Sequence, residues 1–122
     1  MANRHDVYIQ EAISEAKKAN MRFQHGCVIV YNERIVSRGH NRRELTHNMM
    51  SVHAEIAAIA NMTRNRIKLE ATTMYVVRIN SKDMNKDDIK TRTMNSRPCD
   101  NCMRCIEHHK IKKCYFTHLN SP

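Results

Sequence analysis

Cys99 and Cys102 stand three residues apart in SRPCDNC. At that spacing on a helix, two sulfurs share one face and can reach a single metal ion. The helix N-terminus on which they fall would favour their thiolate form. CxxC alone also serves as a redox pair or as half of a structural zinc knuckle, so its meaning depends on what accompanies it. His53 in SVHAEIAAI offers a third ligand, and Glu55, two residues on, adds a carboxylate at the same helix tip. Three protein ligands leave one tetrahedral position of zinc open. A water held there has its pKa lowered toward neutrality, and a neighbouring Glu can take its proton and pass it to a leaving group. A purely structural site would close with a fourth ligand and would not need Glu55. CxxCxxC plus His53 could provide that closure through Cys105, but a turn deeper along the helix Cys105 reads as a small buried thiol.

Helices and strands must bring these residues together. Residues 6–19 place Ile9, Ala12, Ile13, Ala16 and Ala19 on one stripe, an amphipathic first helix. An apolar strand from Cys27 to Tyr31, a polar turn at Asn32 and Glu33, and a second strand near Ile35 and Val36 form a hairpin ending at Gly39. HAEIAAIANM reads as helix two, with Ser51 as N-cap and His53 and Glu55 in its first turn. TTMYVVRI is a buried strand, and residues 80–96 are polar and aperiodic, a long loop. Pro98 suits the start of helix three, which begins on the cysteines, and KKCYFT supplies the last strand. The order α-β-β-α-β-α-β implies a mixed sheet sandwiched by helices. Cys27 and Cys114 lie among apolar strand residues and read as core, while His108 and His109 read as a helix C-terminal cap.

The 122 residues suit a single domain spanning 1–122, with 41% hydrophobic and 27% charged residues, ordinary for a folded chain. Five cysteines without a secretion signal favour thiols and metal ligands over disulfides. The polar N-terminus and the absence of a roughly 20-residue apolar run give an expectation of a cytoplasmic protein with no membrane partner. The net charge of +9 is concentrated in the second half, where 13 Lys and Arg face 6 acids, against 8 and 6 in residues 1–60. Such a field attracts phosphorylated small molecules or a nucleic-acid backbone, though it also serves solubility. The six aromatic residues fall mostly in expected core elements, leaving few stacking platforms for single-stranded nucleic acid.

H-x-E…P-C-x-x-C, formed by His53, Glu55, Pro98, Cys99 and Cys102, is a recorded signature of zinc nucleobase deaminases. With HGCVIV, RGHN, HAEIAAI and IKKCYFTH, it makes the chain resemble the cytidine and deoxycytidylate deaminase superfamily, which includes cytosine and tRNA adenosine deaminases. The resemblance implies a three-layer α/β/α cytidine-deaminase-like sandwich and one catalytic Zn2+ held by His53, Cys99 and Cys102, with Glu55 as proton shuttle. It also implies a substrate-contacting role for Asn41, which otherwise reads as a turn residue. Arg97 and Ala54 complete the candidate substrate contacts, whereas Arg42 and Arg43 read as solvated loop charges. The expected reaction converts a cytosine-containing nucleoside or nucleotide to its uracil form with release of ammonia. The alternatives are an RNA, tRNA or single-stranded DNA base deaminase and, from another class, a noncatalytic zinc-stabilised nucleic-acid-binding module. Two departures stand out. The chain ends soon after KKCYFT, where relatives continue with a helix and strand, so the fold is expected to be minimal and C-terminally shortened. The segment 80–96 also stretches the His53 to Cys99 spacing to 46 positions. An exposed last edge would favour a homo-oligomer.

Overall fold

The computed structural model describes residues 4–20, 23–43, 51–62, 69–80, 93–94 and 99–116. Helix α1 (Arg4–Ala16) leads into a hairpin of β1 (Phe23–Tyr31) and β2 (Arg34–His40). Its two-residue turn has Asn32 and Glu33 at φ of 50° and 66°, the left-handed pair that matches the right-handed twist of adjoining strands. Two short strands, β3 (Arg42–Arg43) and β4 (Ser51–Val52), pair with each other before α2 (Ala54–Met62). A 3-10 turn (Leu69–Ala71) precedes β5 (Thr73–Asn80), followed by β6 (Thr93–Met94), α3 (Asp100–His108) and β7 (Lys113–Phe116).

The sheet is mixed, as expected. β1 lies antiparallel between β2 and β5, and β5 shares its other side between two strands. Antiparallel β6 pairs with Arg78 and Ile79, while parallel β7 pairs from Thr73 to Val76. Part of the expected long loop is therefore a strand. Thr93 and Met94 join the ladder by backbone pairing, which polar composition does not disclose. β1 also starts earlier than the apolar run suggested, because its first turn of ladder carries Gln24 and His25.

Alternation along the strands builds a core on each face. Cys27, Ile29, Met74 and Val76 meet Ala54, Ala58, Ile59, Met62 and Ile106 beneath α2 and α3. Val28, Val30, Tyr75, Val77 and Ile79 meet Ala12, Ile13 and Ala16 of α1 on the opposite face. Each fully buried aliphatic side chain contributes about 1.5–3 kcal/mol to this sandwich. The chain's two glycines, Gly26 and Gly39, set how closely the helices approach. A Cβ on Gly26 would stand 2.0 Å from the Ala12 carbonyl oxygen of α1, and one on Gly39 would stand 2.4 Å from the Ala58 nitrogen of α2. Cys27 is fully buried, and Cys105 and Cys114 pack against the α2 and α3 core, as their sequence context implied. Tyr31 and Tyr115 depart from expectation: although in strands, they are 38% and 36% exposed, because Tyr31 closes the β1–β2 hairpin and Tyr115 lies on the short strand β7, stacked on Tyr75. Among the described residues, no helix is long and apolar enough to cross a membrane.

Candidate active site

The metal-ligand candidates converge at the N-termini of two helices. The carbonyl of His53 accepts the first α2 bond from Ala57 N at 2.9 Å, and that of Cys99 accepts the first α3 bond from Met103 N at 2.8 Å. Both residues therefore occupy N-cap positions, one residue outside the helices to which the sequence assigned them. Ser51 is not the cap of α2, since it lies in β4. Caps are usually Ser, Thr, Asp or Asn, whose oxygens satisfy free backbone N–H groups. Cys99 makes no such side-chain bond and directs its sulfur elsewhere.

That direction is toward His53. Its Nδ1 lies 3.1 Å from Cys102 Sγ and 3.4 Å from Cys99 Sγ, and the three candidate ligand atoms all lie within 4.8 Å of one another. In a tetrahedral zinc site with ordinary bond lengths, ligand nitrogen and sulfur stand about 3.5 Å apart, so a small outward adjustment accommodates the ion. The residues fit zinc in donor type and spacing. The positive ends of α2 and α3 also suit the anionic sulfurs such a site requires. Cys105 is not part of the cluster.

Glu55, the second residue of α2, is 3% exposed. Its carboxyl is paired with the Cys102 thiol, while Oε1 is buried with no hydrogen-bond partner among the described residues. Burial pushes its pKa up, only partly offset by its own backbone N–H, by His53 and by Cys102. A buried, unsatisfied carboxylate oxygen costs stability, and such a cost beside a ligand cluster is characteristic of groups retained for chemistry.

The expected thiolate bias fails for Cys102. Burial, followed by the Glu55 carboxylate and hydrogen bonding with Cys99, raises its pKa far above the ordinary thiol value. Desolvation outweighs the helix terminus there. A metal must then displace the proton. Zinc uptake near pH 7 should release at least one proton per chain, and affinity should rise with pH by about tenfold per unit per proton displaced. Calorimetry in buffers of different ionisation enthalpy checks this; zinc binding with no proton release would contradict it.

Asn41 is 7% exposed at the end of β2. Its Oδ1 accepts from His25 N at 2.8 Å, and its backbone N donates to His25 O at 3.3 Å. Asn41 therefore clamps the start of β1, whatever further contact it makes. Ala54 is fully buried, with its carbonyl oxygen 2.6 Å from the position a Gly39 Cβ would take. Arg97 and Pro98 lie outside the described residues. Two residues that the motifs did not single out also face this end of the sheet. His25 and Arg78 are register partners on β1 and β5, and both follow the alternation that carries Cys27 and Val76 under α2 and α3. Burial, then the charges of Arg78 and His53, lower the His25 pKa to about 4, leaving a neutral imidazole at physiological pH. Only the strand register could have revealed this pair.

An α/β/α sandwich with a histidine and two cysteines at paired helix N-termini, and a buried glutamate beside them, defines a zinc-binding domain of the deaminase type. A family profile described as the cytidine and deoxycytidylate deaminase zinc-binding region matches residues 2–118, and the chain belongs to that family. A tRNA-specific adenosine deaminase from Streptococcus pyogenes is 41% identical over 73 residues, covering 57% of this chain and 45% of the relative. The corresponding Bacillus subtilis protein is 39% identical over 75 residues, 58% of this chain and 46% of its own length. The chain thus matches less than half the length of these curated relatives. The crystal structure of dCMP deaminase from cyanophage S-TIM5 shares the fold, with a TM-score of 0.71 at 21% identity over 97% of this chain and 86% of that one.

Proposed function

We propose that this chain is a hydrolytic deaminase of a cytosine-containing nucleoside or nucleotide, with His53, Cys99 and Cys102 as zinc ligands and Glu55 as proton carrier. The observation carrying this reading is the buried Glu55 Oε1, without a described partner, beside two sulfurs that meet on one histidine nitrogen. Zinc, when bound, supplies a Lewis acid that acidifies the attacking water. Glu55 takes the proton from that water at a carboxylate oxygen and delivers it to the exocyclic amine, which departs as ammonia while the ring carbon keeps the oxygen as a carbonyl. Its upward pKa shift suits both halves of that transfer, since the acid form is stable enough to form and strong enough to give the proton back. Asn41, anchored to β1, and Ala54, at the α2 tip, border the base. Arg97 belongs to the same contact set through its position next to the cysteine motif.

The basic charge supports a phosphorylated substrate. The 41% identity to tRNA-specific adenosine deaminases favours a second reading, deamination of a base within RNA. Among the described residues β7 pairs with β5 alone, and a strand with one side unpaired supports assembly with a second copy. An ammonia-release assay over cytosine, cytidine, deoxycytidine, CMP, dCMP, adenosine, guanine and short RNA and DNA tests the preference. Turnover on a free cytosine nucleoside or nucleotide is expected. Turnover on polymers alone would replace that reading with the second, and none on any substrate would leave a noncatalytic zinc module.

A further inference from the structure

Resting on the deaminase reading above, we propose that His25 selects the base, donating an imidazole N–H to the C2 carbonyl oxygen of cytosine and so disfavouring adenine. Its side chain is placed by strand alternation. Gly26 faces α1, since a Cβ there would stand 2.0 Å from the Ala12 carbonyl oxygen and 2.5 Å from the Ala16 nitrogen. His25 and Cys27, on either side of it, face α2 and α3, where Cys27 joins the core with Ala54 and Ile106. The packing of α2 on β2 fixes how far along that face His25 lies. Ser37 Oγ donates to the Ala58 carbonyl at 2.6 Å, and a Cβ on Gly39 would stand 2.6 Å from the Ala54 carbonyl oxygen. Two residues forward on β2 thus run one turn back along α2, toward its N-terminus. The next such step reaches Asn41 and, beside it on β1, His25, at the level of the His53 cap. The response of the His25 ionisation to the His53 charge agrees with that placement.

The residue is half-buried, and its hydrogen bonds among the described residues are all made by its backbone, in the ladder with β5 and in the clamp from Asn41. A polar ring held at a ligand cluster without a bond of its own calls for a ligand to supply one. The clamp also holds the ring's base still, so little freedom beyond two side-chain torsions is lost when that bond forms. Imidazole keeps at least one N–H whether neutral or charged, so the donor does not depend on the state of ionisation. The chemistry of the two bases then differs at one atom. In cytosine the ring nitrogen beside the attacked C4 leads to C2, which bears a carbonyl oxygen. In adenine the nitrogen beside the attacked C6 leads to a C2 that bears only hydrogen. A donor facing that position is paired by cytosine and left unsatisfied by adenine, and a site built around such a bond discriminates strongly against the base that lacks it.

Calorimetric titration of the zinc-loaded protein with the two deamination products, dUMP and dIMP, tests the proposal in wild type, His25→Phe and His25→Gln, alongside ammonia release from dCMP and dAMP. dUMP keeps the C2 oxygen and dIMP lacks it, while sugar and phosphate are the same. Wild type should bind dUMP at least about 10-fold more tightly than dIMP. His25→Phe keeps a planar ring and removes the donor. It should weaken dUMP binding and lower kcat/KM for dCMP by about 10-fold each, with dIMP binding within about twofold of wild type and zinc content unchanged. His25→Gln should recover part of the loss, because it returns an N–H donor. Equal losses on dUMP and dIMP in His25→Phe would overturn the contact, as would a variant indistinguishable from wild type or a wild type that binds dUMP no better than dIMP. Failure of the parent reading looks different. If wild type released no ammonia from either substrate, a dUMP-specific defect in His25→Phe would still establish that His25 reads the base.

Discussion

Glu55→Gln should lower kcat on the deaminated substrate by at least about 1000-fold while leaving zinc at one ion per chain. The substitution keeps the side chain's size and removes only its capacity to accept and return a proton, a role commonly worth 100-fold to 10,000-fold. In this chain the upper part of that range is expected, because Glu55 is the one carboxylate buried beside the His53, Cys99 and Cys102 cluster among the described residues. No ligand is changed, so zinc content separates lost chemistry from a lost site. Undiminished turnover in the variant would remove Glu55 from the mechanism. Loss of zinc along with activity would make it a structural support of the metal.

Gly39→Ala should cost about 3 kcal/mol of stability, the upper end of ordinary overpacking. The added methyl would meet Ala58 N at 2.4 Å, Ala54 O at 2.6 Å and Ala57 C at 3.0 Å, all backbone atoms of α2 that cannot rotate away. For a domain of this size, that loss lowers the melting temperature by about 10 °C. Relief requires α2 to lift from β2, and α2 carries Glu55 with His53 at its cap. Activity should therefore fall more steeply than stability alone requires when measured well below the melting temperature. Thermal unfolding and a rate measurement on the same preparation check both parts. A melting temperature within about 1 °C of wild type would contradict the packing.

These effects differ in how far the sequence foretold them. His53, Glu55, Cys99 and Cys102 were legible as a set because their chemistry is confined to short spacings around helix starts. The hairpin and the layered order were legible for a similar reason, since Val28 to Val30 and Val76 to Val77 advertise buried strands. β3, β4 and β6 were not, because two-residue strands leave no hydrophobic alternation and owe their existence to backbone partners. The Cys102 thiol was misjudged because the helix terminus could be inferred from sequence but burial beside Glu55 could not. His25 and Arg78 stayed hidden because 53 residues separate them and only the β1 and β5 register joins them. Gly39 read as the end of a strand, whereas its role is the close approach of α2.

In the proposed function, one zinc ion in the His53, Cys99 and Cys102 cluster is what makes deamination possible. Ammonia release from dCMP by the zinc-loaded, chelator-stripped and zinc-restored protein, with metal quantified at each stage, tests it most directly. The expected result is turnover at one zinc per chain, loss on stripping and recovery on restoration. Turnover that persists in metal-free protein would contradict the claim, as would a fully zinc-loaded chain that releases no ammonia from dCMP or from any other nucleobase substrate.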